Sequence, residues 1–276
     1  MITTELLDPV SFDFLCTLVR DRSAIVLQES KMYLIESRLS PIAKAEGLRD
    51  VQELVDKIRQ TKNPRLIQTV IEKMTTNETS FFRDLHPFDA LKSQIIPELL
   101  EKRSKEKRIN IWSNACSSGQ EIYSVAMLIK ESFPQLKDWR INLLATDLST
   151  EILERAKSGI FNQTEVNRGL PMPLLLKYFT KEGLQWRIKD EIKNMVSFQC
   201  LNLITPFPPL QKFDVVFLRN VLIYFDAETK TKILQKIQSL MLPDSYLFLG
   251  AAETTLGLTT SLQRVPVQKT FAFQLS

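Results

Sequence analysis

The sequence predicts an α/β protein in two parts, a small all-helical domain followed by an open, mostly parallel sheet with helices between its strands. Three observations carry that expectation. Apolar residues recur at helical spacing through the first 76 residues, and the almost wholly charged run EKRSKEKR (101–108) then breaks the pattern. From residue 109 onward, short apolar runs alternate with helical stretches. At 276 residues, with 44% hydrophobic and 25% charged content, the chain can bury two cores of unequal size. The boundaries read as a helical domain at 1–76, a junction and linker at 77–108, and the sheet domain at 109–276.

In the first part, Asp8 caps a helix that has Pro9 at its first position and Phe12, Leu15, Cys16 and Val19 on one side. A second helix, over 29–45, gathers Met32, Ile35, Leu39 and Ile42. Asp50 caps a third carrying Val51, Leu54, Val55 and Ile58, and Asn63-Pro64 opens a fourth that ends near Thr75. Residues 1–76 hold eleven Lys/Arg and eleven Asp/Glu, so any basic face there is local. In the second part, INIW (109–112), INLLAT (141–146), VSFQCLNL (196–203), FDVVFLRNV (213–221) and YLFLGAA (246–252) read as strands. Helices are expected around 121–133, 150–158 and 227–241. Val265-Pro266-Val267 and Thr270-Phe271-Ala272-Phe273 close the sheet with an antiparallel edge. The alternation breaks between 159 and 195, where a strand at 184–188 belongs to a small inserted β subdomain at about 178–198.

Composition narrows the chemistry. None of the 7 glycines stands in G-x-G spacing, which removes the dinucleotide fingerprint and the Walker loop. A single histidine, His86, leaves no zinc site, and no metal is expected. Cys16, Cys116 and Cys200 are far apart with no C-x-x-C pair, and read as buried thiols of a reducing compartment. The amino terminus lacks a signal-peptide pattern and no stretch suits a membrane helix, so a cytoplasmic protein without membrane insertion is expected. A net charge of +4 is too balanced to imply a nucleic-acid partner.

In an open α/β sheet, ligands bind at the carboxyl ends of the strands. Four segments lie there. The turn Ser113-Asn114-Ala115-Cys116-Ser117-Ser118-Gly119 leads into a helix start at Glu121, either a ligand-approach turn or a plain strand-to-helix connection. Asp147 ends the next strand, placed to accept from ribose hydroxyls or to cap the following helix. Asn202 and Leu203 follow a third strand and can read an adenine edge. Arg219 and Asn220 interrupt an apolar run and need partners, either a ligand or an internal salt bridge. A fifth segment, Asn77-Glu78-Thr79-Ser80-Phe81-Phe82-Arg83-Asp84, joins the two parts. It offers Asn77, Thr79 and the Arg83 fork to a ligand, while Phe81 and Phe82 read as an interdomain core.

NETSFFRD (77–84), WSNACSSGQEIYSVAM (112–127), ATDLS (145–149), LRNVLIYFD (218–226) and LFLGAAET (247–254) occur in an order and spacing that resemble the chemotaxis receptor methyltransferase (CheR) family. The resemblance runs from about Phe12 to the end of the chain. It implies a Rossmann-like methyltransferase domain with a small inserted β subdomain, behind a helical receptor-docking domain. It also implies transfer of a methyl group from S-adenosylmethionine (SAM) to glutamate side chains in the cytoplasmic helices of chemoreceptors, giving methyl esters and S-adenosylhomocysteine (SAH). By the same resemblance, Asn77, Thr79 and Arg83 fall near the cofactor's methionine portion, with Glu121 at the glycine turn. Asp147 falls at the ribose, Asn202 and Leu203 at the adenine, Arg219 and Asn220 beside the cofactor, and Tyr224 with Arg83 where the substrate carboxylate is aligned. Such chemistry suits a chain with one histidine, because a glutamate of ordinary pKa, about 4.3, is already ionised at neutral pH and needs no strong base.

The sequence also departs from the family. Gln120 and Ile122 flank the turn glutamate where Glu and Pro are usual, and Pro243-Asp244-Ser245-Tyr246 replaces a glycine-richer turn. The segment 179–184 is short for the hairpin that grips a receptor's terminal pentapeptide, which speaks against that tether. Lys31, Arg38 and Lys44, seven and six residues apart, form either a basic stripe facing an acidic receptor helix or ordinary solvated side chains. Two other functions compete: a nucleic-acid methyltransferase, whose Pro-Cys and Asn-Pro-Pro-Tyr signatures are missing, and a SAM-binding docking module without transfer activity.

Overall fold

The computed structural model describes residues 7–27, 30 and 32–276. It divides into two compact units, one comprising the chain up to Thr76 together with Tyr224–Thr229, the other Asn77–Ile223 together with Lys230–Ser276. The first contains α1 (Pro9–Ser23), α2 (Met32–Ala45), α3 (Val51–Thr61) and α4 (Pro64–Met74). The caps are those the residue types call for. Asp8 accepts from the Ser11 amide, Asp50 from Glu53, and Asn63 from Arg65 and Leu66, while Pro9 and Pro64 stand where no amide donor is needed. Leu15, Val19, Leu39, Leu54, Val55 and Val70 are fully enclosed in the helical core.

In the second unit, α5 (His86–Ala90) runs through one π turn (Leu91–Ile95) into α6 (Ile96–Lys102). This corrects the linker expected over 77–108. Phe88, Leu91, Ile95, Ile96 and Leu99 share one face and are buried in the same core as the sheet. Pro97 hides the helix in the sequence, and the π turn, closed by the Ile96 amide on Leu91 O, lets the helix pass the proline. Even the charged run is partly structural. Arg103 reaches Asp214 (2.8 Å) and Asp244 (2.6 Å), and Asp214 also accepts from the Asn110 amide at 2.8 Å. Burial pushes the Asp214 carboxyl above its ordinary range, and the ion pair with Arg103 opposes that shift.

The sheet elements are β1 (Arg108–Asn114), α7 (Gln120–Ser132), β2 (Arg140–Asp147) and α8 (Thr150–Ser158), then β3 (Ile160–Asn162), α9 (Gln163–Asn167) and α10 (Met172–Tyr178). They continue with β4 (Phe179–Glu182), β5 (Gln185–Ile188), α11 (Asp190–Lys193), β6 (Val196–Cys200), β7 (Phe213–Leu218), α12 (Ala227–Ser239), β8 (Met241–Leu249), β9 (Leu262–Val267) and β10 (Thr270–Leu275). Seven strands form one sheet in the order β6-β2-β1-β7-β8-β10-β9, parallel from β6 to β8, with β10 antiparallel to both its neighbours. The unit is thus Rossmann-like. Its strand order reverses at β1, which lies between β2 and β7, so the crevice for a ligand opens at the carboxyl ends of these three strands. Trp112 stacks on Phe213 (4.9 Å) and Phe217 on Phe248 (5.2 Å) within the core.

A second, three-stranded sheet has the order β3-β5-β4, so the inserted subdomain recruits a strand as early as Ile160, ahead of the expected 178–198. Phe81 packs edge-on against Phe161 (5.1 Å) and Phe179 (5.7 Å) of that sheet, and Phe82 against Phe88 (5.2 Å). Phe81 is therefore in the core of the second unit itself. The thiols also differ from expectation: Cys116 is buried, but Cys16 is half-buried and Cys200 exposed. Among the described residues no helix is long and apolar enough to cross a membrane.

Candidate functional site

The turn after β1 adopts a form that its composition conceals. Ala115, Ser117 and Gly119 all have left-handed backbone, with φ of 48°, 51° and 91°. Left-handed positions between a strand and a helix are usually given to glycine, and here an alanine and a serine take two of the three places. Left-handed backbone costs a non-glycine residue about 1–2 kcal/mol, so other contacts must hold it. They are present. The Ser117 amide donates to Asp147 Oδ2 (2.9 Å), the Ser117 hydroxyl to Asn77 O (2.8 Å), and the Cys116 amide to Thr146 O (3.0 Å). Ala115→Gly is expected to raise stability by about 0.5–1 kcal/mol, because relieved strain exceeds the added freedom of the unfolded chain; urea denaturation checks it, and an unchanged or lower midpoint would show the alanine to be unstrained.

Asp147, at the end of β2, is buried and ties together three segments. Oδ2 holds the Ser117 turn, Oδ1 accepts from the Ser149 amide (3.0 Å), and its carbonyl accepts from the Leu201 amide (2.9 Å). The cap of α8 is Ser149, whose hydroxyl accepts from Ile152, so Asp147 is not that cap. The Leu201 bond brings the loop carrying Asn202 and Leu203 beside it. Asn202 is half-buried and accepts from the Ile204 amide (3.1 Å), and Leu203 is buried. Lys236 donates to the carbonyls of Leu203 and, at 2.8 Å, Thr205, which pins that loop.

Arg219, just past β7, lies in an internal ion cluster. It meets Glu121 Oε2 at 2.7 Å and Asp84 Oδ2 at 2.6 Å, and donates to Arg83 O at 3.0 Å. Glu121 accepts in addition from the Ser113 hydroxyl (2.8 Å). The backbone held by Arg219 is itself strained, with left-handed φ at Phe82, Asp84 and Leu85. Arg83 is half-buried and donates to Glu78 O (3.1 Å). A cleft of about 190 Å³ beside this segment is lined by Asn77, Glu78, Thr79, Ser118, Gln120 and Arg155, among others. Burial, and then the charges of Asp147 and Glu121, push the Cys116 thiol well above its ordinary value, which disfavours its thiolate.

Sequence reasoning missed Glu253. Its Oε2 accepts from the amides of Asn220 (2.8 Å) and Gly250 (2.7 Å), and its Oε1 from Ile223 (3.3 Å), which holds Asn220 in left-handed backbone at φ 59°. A Cβ on Gly250 would stand 2.8 Å from Asn220 N, so the glycine is required by close approach. The available signal was a glycine followed three residues later by an acid, directly after the last parallel strand.

The second unit thus gathers Asn77, Thr79, Arg83, Glu121, Asp147, Asn202, Leu203, Arg219 and Asn220 on its strand ends and the adjoining segment. Tyr224 belongs with the helical unit, half-buried, in a 3-10 turn. Of the basic stripe, Lys31 lies outside the described residues. Arg38 donates to Met74 O (2.9 Å), Thr75 O (3.1 Å) and Thr76 Oγ1 (3.2 Å), closing the carboxyl end of α4, and Lys44 is exposed. Arg38 is therefore engaged in structure. His86 is exposed, and no cluster of metal ligands occurs among the described residues.

Two buried side-chain atoms find no partner among the described residues: Asn114 Oδ1, an acceptor at the end of β1, and Arg219 Nε, a donor just past β7. Unpaired buried polar atoms at the mouth of the crevice fit a ligand carrying both donors and acceptors. SAM carries both kinds of group.

Residues 77–271 match the family model described as CheR methyltransferase, SAM binding domain, and residues 11–75 that of CheR methyltransferase, all-alpha domain. The chain is similar to chemotaxis protein methyltransferase 1 of Pseudomonas aeruginosa, 42% identical over 259 residues that cover 92% of this chain and 93% of that one. It is 41% identical over 255 residues to chemotaxis protein methyltransferase Cher2 of Pseudomonas putida, covering 91% and 92%. With the chemotaxis protein methyltransferase of Vibrio parahaemolyticus it shares 37% over 250 residues, covering 90% of each. The left-handed turn at the switch point, the acid at the end of β2 and these matches together place the chain in the CheR family of S-adenosylmethionine-binding methyltransferases of chemotaxis.

Proposed function

We propose that the protein is a cytoplasmic protein-glutamate O-methyltransferase that esterifies glutamate side chains on the helical cytoplasmic domain of chemoreceptors, with SAM as donor and SAH as product. The observation that carries the cofactor's place is the buried Asp147, whose carboxylate fixes the left-handed turn and whose backbone carbonyl holds the Leu201 loop at the switch point. In this reading Asp147 receives the ribose, Asn202 and Leu203 border the adenine, and Asn77, Thr79 and Arg83 hold the methionine end. Glu121 and Asn220 support the middle. Arg219 acts through Glu121 and the Arg83 carbonyl rather than by presenting its whole guanidinium to the ligand. When bound, SAM supplies a methyl group already activated on a sulfonium sulfur.

The chain's own task is then alignment and water exclusion. An incoming glutamate is ionised at neutral pH and attacks without a base, so Arg83 and Tyr224 serve to orient its carboxylate. The domain division follows the same reading: the helical unit up to Thr76 docks on the receptor, and the chain from Asn77 onward, with the helix through 86–102 in its core, holds the cofactor. With Arg38 tied to α4, the receptor-facing charge in the described part of the stripe falls to Lys44.

The reading is tested by incubating the protein with methyl-labelled SAM and membranes bearing the chemoreceptors of its own organism, beside a sample without receptors. Label on the receptor band, released as methanol by mild alkali, is expected. SAM binding with no receptor label would sink the transferase assignment and leave a docking module.

A further inference from the structure

We propose that Asn114 binds the α-ammonium group of the methionine moiety of SAM or SAH, an inference that rests on the cofactor reading above. Asn114 is the last residue of the central strand, paired in register with Thr146 of β2 on one side and Leu218 of β7 on the other. It therefore stands at the topological switch point itself. Asn114 is 1% exposed. Nδ2 donates to Phe217 O at 3.3 Å, which fixes the orientation of the amide and leaves Oδ1 as the end that needs a donor. No described residue supplies one. An unsatisfied buried acceptor costs about 1–3 kcal/mol, and a folded chain keeps one where a ligand completes it.

The order of strands decides which donor this is. The adenine border (Asn202, Leu203) follows β6, the ribose acid ends β2, and β1 comes next in the sheet. A cofactor laid from β6 toward β7 passes its adenine and ribose before it reaches Asn114. The adenine amine and the ribose hydroxyls are then already assigned, and the remaining donor of SAM or SAH is the α-ammonium. A charge-assisted bond from ammonium to a buried amide oxygen is among the stronger hydrogen bonds available to a neutral side chain.

The experiment compares two probes in titration calorimetry. SAH carries the α-amino acid end, and 5′-methylthioadenosine has the same adenosine and thioether without it. Asn114→Ala and Asn114→Leu, the second of which fills the amide's volume, are measured beside the wild type, with thermal melting as the check on folding. In both variants SAH is expected to bind roughly tenfold more weakly while methylthioadenosine keeps its affinity. Equal losses for the two probes would overturn the assignment and give Asn114 a structural or adenosine-facing role. Unchanged SAH affinity would overturn it as well, since Oδ1 would then be satisfied by water. A wild-type protein that binds neither probe would remove the cofactor reading, and this inference with it, and is distinguished from the other outcomes by the wild-type titration alone.

Discussion

Arg219→Met is expected to destabilise the sheet unit by about 3–5 kcal/mol, the loss typical when one partner of a buried ion pair is removed. The arginine side chain is 2% exposed and that of Glu121 only 12%, so Glu121 would keep a desolvated charge with the Ser113 hydroxyl as its remaining partner. Asp84, 46% exposed, is well solvated and adds little. The substitution also releases a strained backbone. Arg219 grips Arg83 O and Asp84 Oδ2, and with that grip gone the left-handed residues Phe82, Asp84 and Leu85 are free to relax, carrying Arg83 with them. Chemical denaturation and SAH titration should therefore fall together. Adding Glu121→Gln is expected to restore at least half of the lost stability, because a neutral amide needs no counter-charge. A double variant as unstable as the sum of its singles would show that Glu121 and Arg219 are not energetically coupled.

Gly169→Ala should act on the same segment from the opposite side. Gly169 has φ of 85°, and a Cβ there would lie 2.0 Å from Phe81 O, a distance that only backbone movement can relieve. A destabilisation of roughly 2–4 kcal/mol is expected, with SAH affinity about tenfold lower because Asn77, Thr79 and Arg83 share the displaced strand of chain. Melting and calorimetry on one preparation check it. If the protein melts normally and binds normally, the close approach of Gly169 to Phe81 is not a constraint on the site.

Much of the architecture was readable because it is written in local chemistry. Asp8, Asp50 and Asn63 cap where their side chains must, and the apolar runs from 109 onward form the strands of the main sheet. What escaped reading depends on contacts between distant segments. The helix through 86–102 was obscured by Pro97 and by the charges that follow it, although Phe88, Leu91, Ile95 and Leu99 already had helical spacing. β3 has three residues, too few to show alternation. The pairing of Arg219 with Glu121 spans 98 positions, and the sequence offered ligand and salt bridge alike for Arg219. Glu253 gave no sign of its task because it binds backbone amides, and backbone amides carry no side-chain signature.

The left-handed turn at Ala115 and Ser117 has a kinetic meaning as well. A turn built on glycine can form early, since its conformation is locally accessible. This one is locally disfavoured, and the contacts that tie it down include Asp147, Thr146 and Asn77, which arrive from 30 to 40 residues away. It is therefore expected to close after β1 and β2 have paired, and substitutions in it are expected to change the rate of unfolding more than the rate of folding. A ligand that spans this turn, at the end of the central strand, is then expected to slow the chain's unfolding far more than it hastens its assembly.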